Sequence, residues 1–194
     1  MDGPLKNLLV VDLTRVLVGP YCTMILSDLG ARVIKIEAPE TGDDSRKFGP
    51  FVKDYSAYFM SLNRGKESIA LNLKNNEDKK IFDKILSKAD ILVENFKPGT
   101  LEKWGFGWKD VSKKYPKLIY ASASGFGQTG PLKELPAYDM VVQGMGGLMS
   151  VTAIQTQNQQ GLEPLLVISQ QVFLQQLELM QLYTIDKKLV KELL

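Results

Sequence analysis

The side chains a protein lacks limit its chemistry as firmly as those it has. This sequence contains no histidine and a single cysteine, Cys22, so neither a Ser-His-Asp triad nor a His/Cys zinc site can be assembled from it. What remains for catalysis is carboxylate, and for binding it is lysine, asparagine, glycine and aromatic side chains. Asp43-Asp44, Glu94 and Asp139 are the candidate carboxylates. An isolated aspartate is more often a cap or a surface charge, however, and Asp139, after Pro136-Ala-Tyr, starts the following helix. Lys74, Asn95, Phe96, Lys97 and Lys103 fall just after strands or early in the next element, so their side chains can converge on one sheet edge. Lysines offer point charges to phosphates and Phe96 offers a face to a purine. The plainer reading of the same residues is a solvated, lysine-rich rim.

Two glycine-bearing stretches complete the set. Val16-Leu-Val-Gly-Pro20 lies at the carboxyl end of a strand and before a helix N-terminus, where open α/β sheets bind ligands and free N–H groups meet anions. A simple strand-to-helix turn fits that position equally well. Gly125-Phe-Gly-Gln-Thr-Gly130 matches the glycine fingerprint of dinucleotide sites and follows a strand. Its surroundings fail the fingerprint: Pro131 and Leu132-Lys-Glu-Leu-Pro136 open no helix, and no acidic residue sits about 20 positions on. A loop that needs positive φ or close backbone approach is the better account, and it argues against a nicotinamide or flavin enzyme.

The elements that must position these residues follow from hydrophobic spacing. Residues 7–13 read as a short buried strand, and Tyr21 to Leu29, opened by Pro20 and stopped by Gly30, read as a helix. Arg32-Val-Ile-Lys-Ile-Glu37 is a second strand, which ends before Pro39 and a Gly42-Asp-Asp turn. Ser68 to Leu73, Asp90 to Glu94 and Leu118 to Ala123 read as further strands. Asn76 to Ala89 is a helix with Asn and Glu capping chemistry, Asp110 to Tyr115 a short helix, and Tyr138 to Met149 another. This β-α-β order predicts an α/β fold: a Rossmann-like parallel sheet with flanking helices.

Composition narrows the class. With 44% hydrophobic residues and a net charge of +2 the chain can build a core, and it shows no basic face for nucleic acid. The lone cysteine excludes an intrachain disulfide framework and fits a reducing compartment, so a cytoplasmic location is expected. No apolar run approaches the roughly 20 residues of a membrane span, and Met1-Asp-Gly-Pro-Leu-Lys-Asn-Leu-Leu9 is not a secretory signal. Neither a membrane nor a nucleic-acid partner is expected.

Several longer stretches occur together and in order. They are Asp12-Leu-Thr-Arg-Val-Leu-Val-Gly-Pro20, Leu29-Gly-Ala-Arg-Val-Ile-Lys-Ile-Glu37, Asn63-Arg-Gly-Lys-Glu-Ser-Ile-Ala-Leu-Asn72, Val93-Glu-Asn-Phe-Lys-Pro-Gly99, Ser124-Gly-Phe-Gly-Gln-Thr-Gly-Pro131 and Tyr138-Asp139. Over residues 5–152 the chain resembles the family III CoA-transferases, which include the formyl-CoA, carnitine–CoA and succinate–hydroxymethylglutarate enzymes. The resemblance implies the N-terminal part of a large Rossmann-like domain from a chain about twice as long. It also implies a homodimer of interlocked rings. The substrates would be an acyl-CoA and a carboxylic acid, with the CoA thioester as substrate and no cofactor bound permanently. By the same resemblance Leu17, Val18, Leu71, Asn72, Leu73, Lys74, Asn95, Phe96, Lys97, Lys103, Ser124, Gly125, Phe126 and Gly127 would line the CoA site. Ala38 stands where some members carry an arginine for the CoA phosphates.

The family's nucleophile is an aspartate that forms acyl anhydride and thioester intermediates. It usually follows Thr152 by some twenty residues, in a Gly-Asp step. Here that region reads Pro164-Leu-Leu-Val-Ile-Ser-Gln-Gln171, without an aspartate, and Asp186 has the wrong neighbours. The resemblance therefore implies CoA transfer while leaving this chain without a catalytic residue. The alternative is a non-catalytic CoA- or nucleotide-binding module, or a subunit of a larger complex.

Beyond Thr152 the texture changes. Nine glutamines lie between Ala153 and Tyr183 against two before them, a composition usually found in solvated or interaction-prone tails. The genetic code supplies another origin. If the last base of each codon is read with the first two of the next, Gln-Gln permits only Thr or Ala, and Met180-Gln181 permits only Ala. The permitted residues include a Gly-Asp step, its aspartate codon straddling Val167 and Ile168, and a Lys-Thr-Gly-Lys-Gly turn of the kind the family carries there. Two regions are expected: residues 1–152, the Rossmann-like part, and residues 153–194, a tail displaced by a one-base frameshift near Thr152–Ala153. An authentic divergent tail is the other possibility.

Overall fold

The computed structural model describes residues 3–147 and Met149. Its centre is a parallel sheet. Strands β1 (Leu9–Asp12), β2 (Arg32–Glu37), β5 (Glu67–Ala70), β6 (Ile91–Glu94) and β7 (Ile119–Ser122) lie in the order β5-β2-β1-β6-β7. From β1 the chain first builds outward through β2 to β5, then returns to the other side of β1 for β6 and β7. The strand order therefore reverses between β1 and β6, and sheets of this kind bind ligands outside the carboxyl ends of the strands at such a point. Leu9 pairs with Arg32 and Val10 with Ile91, so the three central strands run in register.

Alternation along the strands sorts the core onto two faces. Val10, Val33, Ile91 and Val93 pack on one face with Cys22 and Leu26 of α1 (Val18–Asp28). Val11, Ile36 and Leu92 point the other way. There they meet Phe82 and Leu86 of α3 (Asn76–Leu86), Leu101 of α4 (Thr100–Trp104) and Val111 of α5 (Trp108–Lys114). Phe82 and Phe106 pack edge to face, 4.7 Å between centroids. Each such buried side chain stabilises the fold by about 1.5–3 kcal/mol. Sheet and helices thus follow the expected α/β arrangement, with Arg32–Glu37 at the bounds read from the sequence.

Several bounds and elements differ from the expectation. Helix α1 opens at Val18, so Pro20 occupies its first turn, where a missing N–H costs nothing. The strand expected over 68–73 leaves the sheet after Ala70, because its neighbour β2 ends at Glu37 and only Leu71 N still reaches Glu37 O. Helix α3 ends at Leu86, and the N–H groups of Lys88 and Ala89 close tighter turns onto Ile85 and Leu86. Between β2 and β5 the chain adds a 3-10 turn (Asp44–Lys47), a hairpin of β3 (Phe51–Val52) and β4 (Tyr55–Ser56), and α2 (Ala57–Asn63). Ser56 caps α2 by accepting from Phe59 N. Helix α6 spans Asp139–Met145 with Asp139 in its first turn. The expected tail, 153–194, lies outside the described residues. Among the described residues no helix is long and apolar enough to cross a membrane.

Candidate functional site

The segments that follow β1, β2 and β5 enclose a cleft of about 510 Å³ at the carboxyl edge of the sheet. One wall is Leu13–Arg15, a second runs from Ile36 to Asp43, a third is Leu71–Lys74, and Phe96 and Trp104 close it. Phe96 packs edge-on against Trp104, 5.3 Å between ring centroids. The volume suits a small-molecule or cofactor moiety, and the lining mixes apolar residues with charged and polar ones, among them Arg15, Glu37, Glu40, Asp43, Asn72 and Lys74.

A buried charge network holds the walls in place. Asp12 is buried and the Lys66 side chain is 1% exposed, with Nζ 3.0 Å from Oδ2. Lys66 spends its remaining donors on Pro20 O and Asn63 Oδ1, both at 2.9 Å. Asp12 also accepts from Thr14 N at 2.8 Å and from the hydroxyls of Thr14 and Thr23. Burial pushes the Asp12 carboxyl up, but Lys35, Lys66 and the two threonines outweigh it and hold it below the usual aspartate value. Burial works against the Lys66 ammonium and lowers it despite Asp12.

A second pair lies alongside. Lys35, 1% exposed, stands 2.9 Å from Asp43 Oδ2 and donates to Thr14 O at 2.7 Å. Asp43 Oδ2 accepts no directed hydrogen bond, so the pair is held by charge. Asp43 Oδ1 accepts from Ser45 N and from Val16 N, the latter at 3.1 Å. Val16 has φ 71°, which is unusual for a β-branched residue. The strain is held from both sides, because the Asn95 carboxamide accepts from Arg15 N and donates to Arg15 O, each at 2.8 Å. Glu37 in turn takes two bonds from Arg46 at 2.7 Å, one from Ser68 and one from Asp43 N.

These contacts reassign the candidate carboxylates. Asp43 is a buried partner of Lys35, and Asp44 pairs with Arg15 at the surface. Glu94 is buried, receives Phe96 N at 2.8 Å and the Ser122 hydroxyl, and is raised chiefly by burial. Asp139 accepts from Gln143 Nε2 within α6. The glycine fingerprint is a loop feature, as its failed context suggested. A Cβ on Gly125 would stand 1.9 Å from Ala137 Cβ, and Gly127 has φ 77°.

The structure brings Leu71, Asn72, Leu73, Lys74 and Phe96 together on the cleft. The other expected residues lie elsewhere. Leu17 and Val18 form the N-terminus of α1, whose Leu17 offers no side-chain cap. Asn95 is engaged with the Arg15 backbone. Lys97 and Lys103 are exposed outside the lining, since α4 turns Trp104 rather than Lys103 inward. Ser124–Gly127 follow β7, where Ser124 hydrogen-bonds Gln128. Arg15, Lys35, Lys66 and, apart from Ala38 and Asp43, the 36–43 wall line or support the cleft without having been singled out in the sequence. A lysine inside a buried strand was the available signal, since it demands an anionic partner.

An open parallel sheet with flanking helices and this cleft at the carboxyl ends of its strands defines an α/β domain. The chain belongs to CoA-transferase family III, whose family model matches residues 5–171. It is 58% identical over 150 residues to acetyl-CoA:oxalate CoA-transferase of Acetobacter aceti, covering 77% of this chain and 39% of that protein. It is 47% identical over 150 residues to mouse succinyl-CoA:glutarate CoA-transferase, covering 77% and 34%. The chain thus spans well under half the length of these curated relatives. A crystal structure of a CAIB/BAIF family protein from Brucella suis superposes with a TM-score of 0.89 at 36% identity, covering 97% of this chain and 51% of that one.

Proposed function

We propose that this chain carries the CoA-binding part of an enzyme that moves CoA between an acyl-CoA and a carboxylic acid, and that alone it does not complete the transfer. The carrying observation is the cleft, which joins the Leu71–Lys74 and Phe96 walls at the carboxyl edge of a sheet whose family acts on CoA. Lys74 supplies a point charge for a phosphate, and Phe96 with Trp104 an aromatic surface for the adenine or the pantetheine arm. The α1 N-terminus adds unpaired N–H groups nearby in the chain. No aspartate occurs between Thr152 and Asp186 to act as nucleophile, and positioning without a nucleophile gives no covalent route. A non-catalytic CoA-binding module is the second reading, favoured by the same missing aspartate.

The reading extends to a cytoplasmic homodimer that keeps no permanent cofactor, and to a tail displaced by one base, which resequencing the coding DNA around codon 152 tests. Calorimetric titration with CoA tests the site: a Kd of about 0.1–1 mM is expected for charge contacts open to solvent. A thermal shift with NAD and none with CoA would refute it. Enzyme-dependent CoA exchange over a panel of acyl-CoA donors and acid acceptors would refute the inactivity.

A further inference from the structure

We propose that Arg15 is an exchangeable anion-binding residue of the cleft, which leaves Asp44 to take an oxyanion of the CoA substrate. The oxyanion is either a phosphate of the nucleotide end or the free carboxylate of a dicarboxylic acyl chain. The inference rests on the CoA-binding reading above.

Arg15 lines the cleft, and its backbone is fixed at both N–H and C=O by Asn95. The guanidinium is not fixed in the same way. It pairs with Asp44, and the two side chains are 45% and 51% exposed. An ion pair so open to water contributes little, so a better anion can displace the carboxylate. The planar fork of arginine matches phosphate and carboxylate bidentately. Arg46 shows the contrast: it holds the buried Glu37 through two bonds and lies 3.8 Å over the Phe59 ring, so it is committed to the fold. Asp43 is likewise neutralised by Lys35. Arg15 and Lys74 are then the cations on the lining that no buried carboxylate claims, and Ala38 leaves the opposite wall without one.

The test is calorimetric binding of CoA, acetyl-CoA and succinyl-CoA to the full chain and to Arg15→Gln, Arg15→Lys, Asp44→Asn and the double variant. Asp44→Asn is expected to tighten binding by about two- to fivefold, because it removes the competing carboxylate. Arg15→Gln is expected to weaken it about tenfold and to abolish the gain from Asp44→Asn, with Arg15→Lys between. A merely structural role for Arg15 would not produce tighter binding when its partner is removed. A loss shared by CoA and acetyl-CoA assigns a phosphate, and a loss confined to succinyl-CoA assigns the carboxylate. Should Arg15→Gln lose the fold by circular dichroism, the Asp44→Asn and Arg15→Lys results decide. Binding of CoA, acetyl-CoA and succinyl-CoA all unchanged in Asp44→Asn and Arg15→Lys would overturn the inference and leave the CoA reading standing. No binding to the unmodified chain would overturn both.

Discussion

Replacing Lys35 by methionine isolates the buried pair that shapes the cleft. Methionine keeps most of the apolar stem and removes the ammonium, so Asp43 is left as a fully buried carboxylate and Thr14 O loses its donor at 2.7 Å. Breaking a buried pair from one side costs about 3–5 kcal/mol, because the remaining charge has neither water nor a counter-charge. Against a total stability on the order of 5–15 kcal/mol that is a large fraction. The melting temperature should fall by about 6–20 °C for a chain of this size. Adding Asp43→Asn should recover part of the loss, since an amide oxygen still accepts from Val16 and Ser45 without carrying a charge. The sign with pH also follows. Without Lys35, burial leads and Asp43 moves above its ordinary value of 3.8, so Lys35→Met should regain stability as pH falls and lose it as pH rises through the new value. Urea unfolding followed by far-UV circular dichroism at several pH values measures all three effects. A single variant within about 1 kcal/mol of the parent, or a double variant no more stable than Lys35→Met, would refute the reasoning.

Three further outcomes are expected. Asp12, Asp43 and Glu37 are all held below their ordinary values of 3.8, 3.8 and 4.5. Their stabilisation should therefore be complete above about pH 4.5 and be lost as pH falls through the lower folded values; a melting temperature already declining between pH 7 and 5 would count against this. Cys22 is buried and its thiol is pushed up to about 12, chiefly by desolvation, so a thiol reagent at pH 8 should react only on unfolding, and rapid labelling of the native chain would contradict the packing. Gly19→Ala places a Cβ 2.2 Å from Thr14 Cγ2, and overpacking of that kind should cost about 1–3 kcal/mol in urea unfolding, against no cost if α1 can shift freely.

Legibility in the sequence tracked the range of the interactions. The strands were readable because each is a brief apolar run beside a helix with the opposite period, and β-α-β order leaves few topologies. The stretch 43–63 was not, because nothing periodic marks a hairpin of two-residue strands. What fixes that stretch is Asp43 reaching Lys35 and Arg46 reaching Glu37 across the fold. For the site, Leu71–Lys74 and Phe96 could be read as residues that follow strands. Lys97 and Lys103 obeyed the same rule and still miss the cleft. Gly99 at φ 82° and Gly105 at φ 86° bracket the five-residue helix α4 between them, and on a helix neighbouring residues point about 100° apart, so turning Trp104 inward turns Lys103 out.

The same logic places Glu94, a candidate carboxylate of the sequence, with two other buried acids at strand ends. Three adjacent strands each end in a buried acid: Asp12 on β1, Glu37 on β2 and Glu94 on β6. Each accepts a backbone N–H from its own departing loop, Thr14 N, Asp43 N and Phe96 N respectively. A strand end in a parallel sheet leaves loop N–H groups without ladder partners, and buried ones must be satisfied. A carboxylate at the last strand residue meets that need more strongly than a neutral acceptor, since the hydrogen bond is charge-assisted. Its own burial must then be offset, and the strands do so differently. Asp12 takes Lys66, Glu37 takes Arg46, and Glu94, with only Ser122 and Phe96 as donors, is the one left above its ordinary value. The backbone around the cleft is therefore set largely by buried carboxylates with charged or hydrogen-bonding partners, while the cations that line it, Arg15 and Lys74, stay exposed.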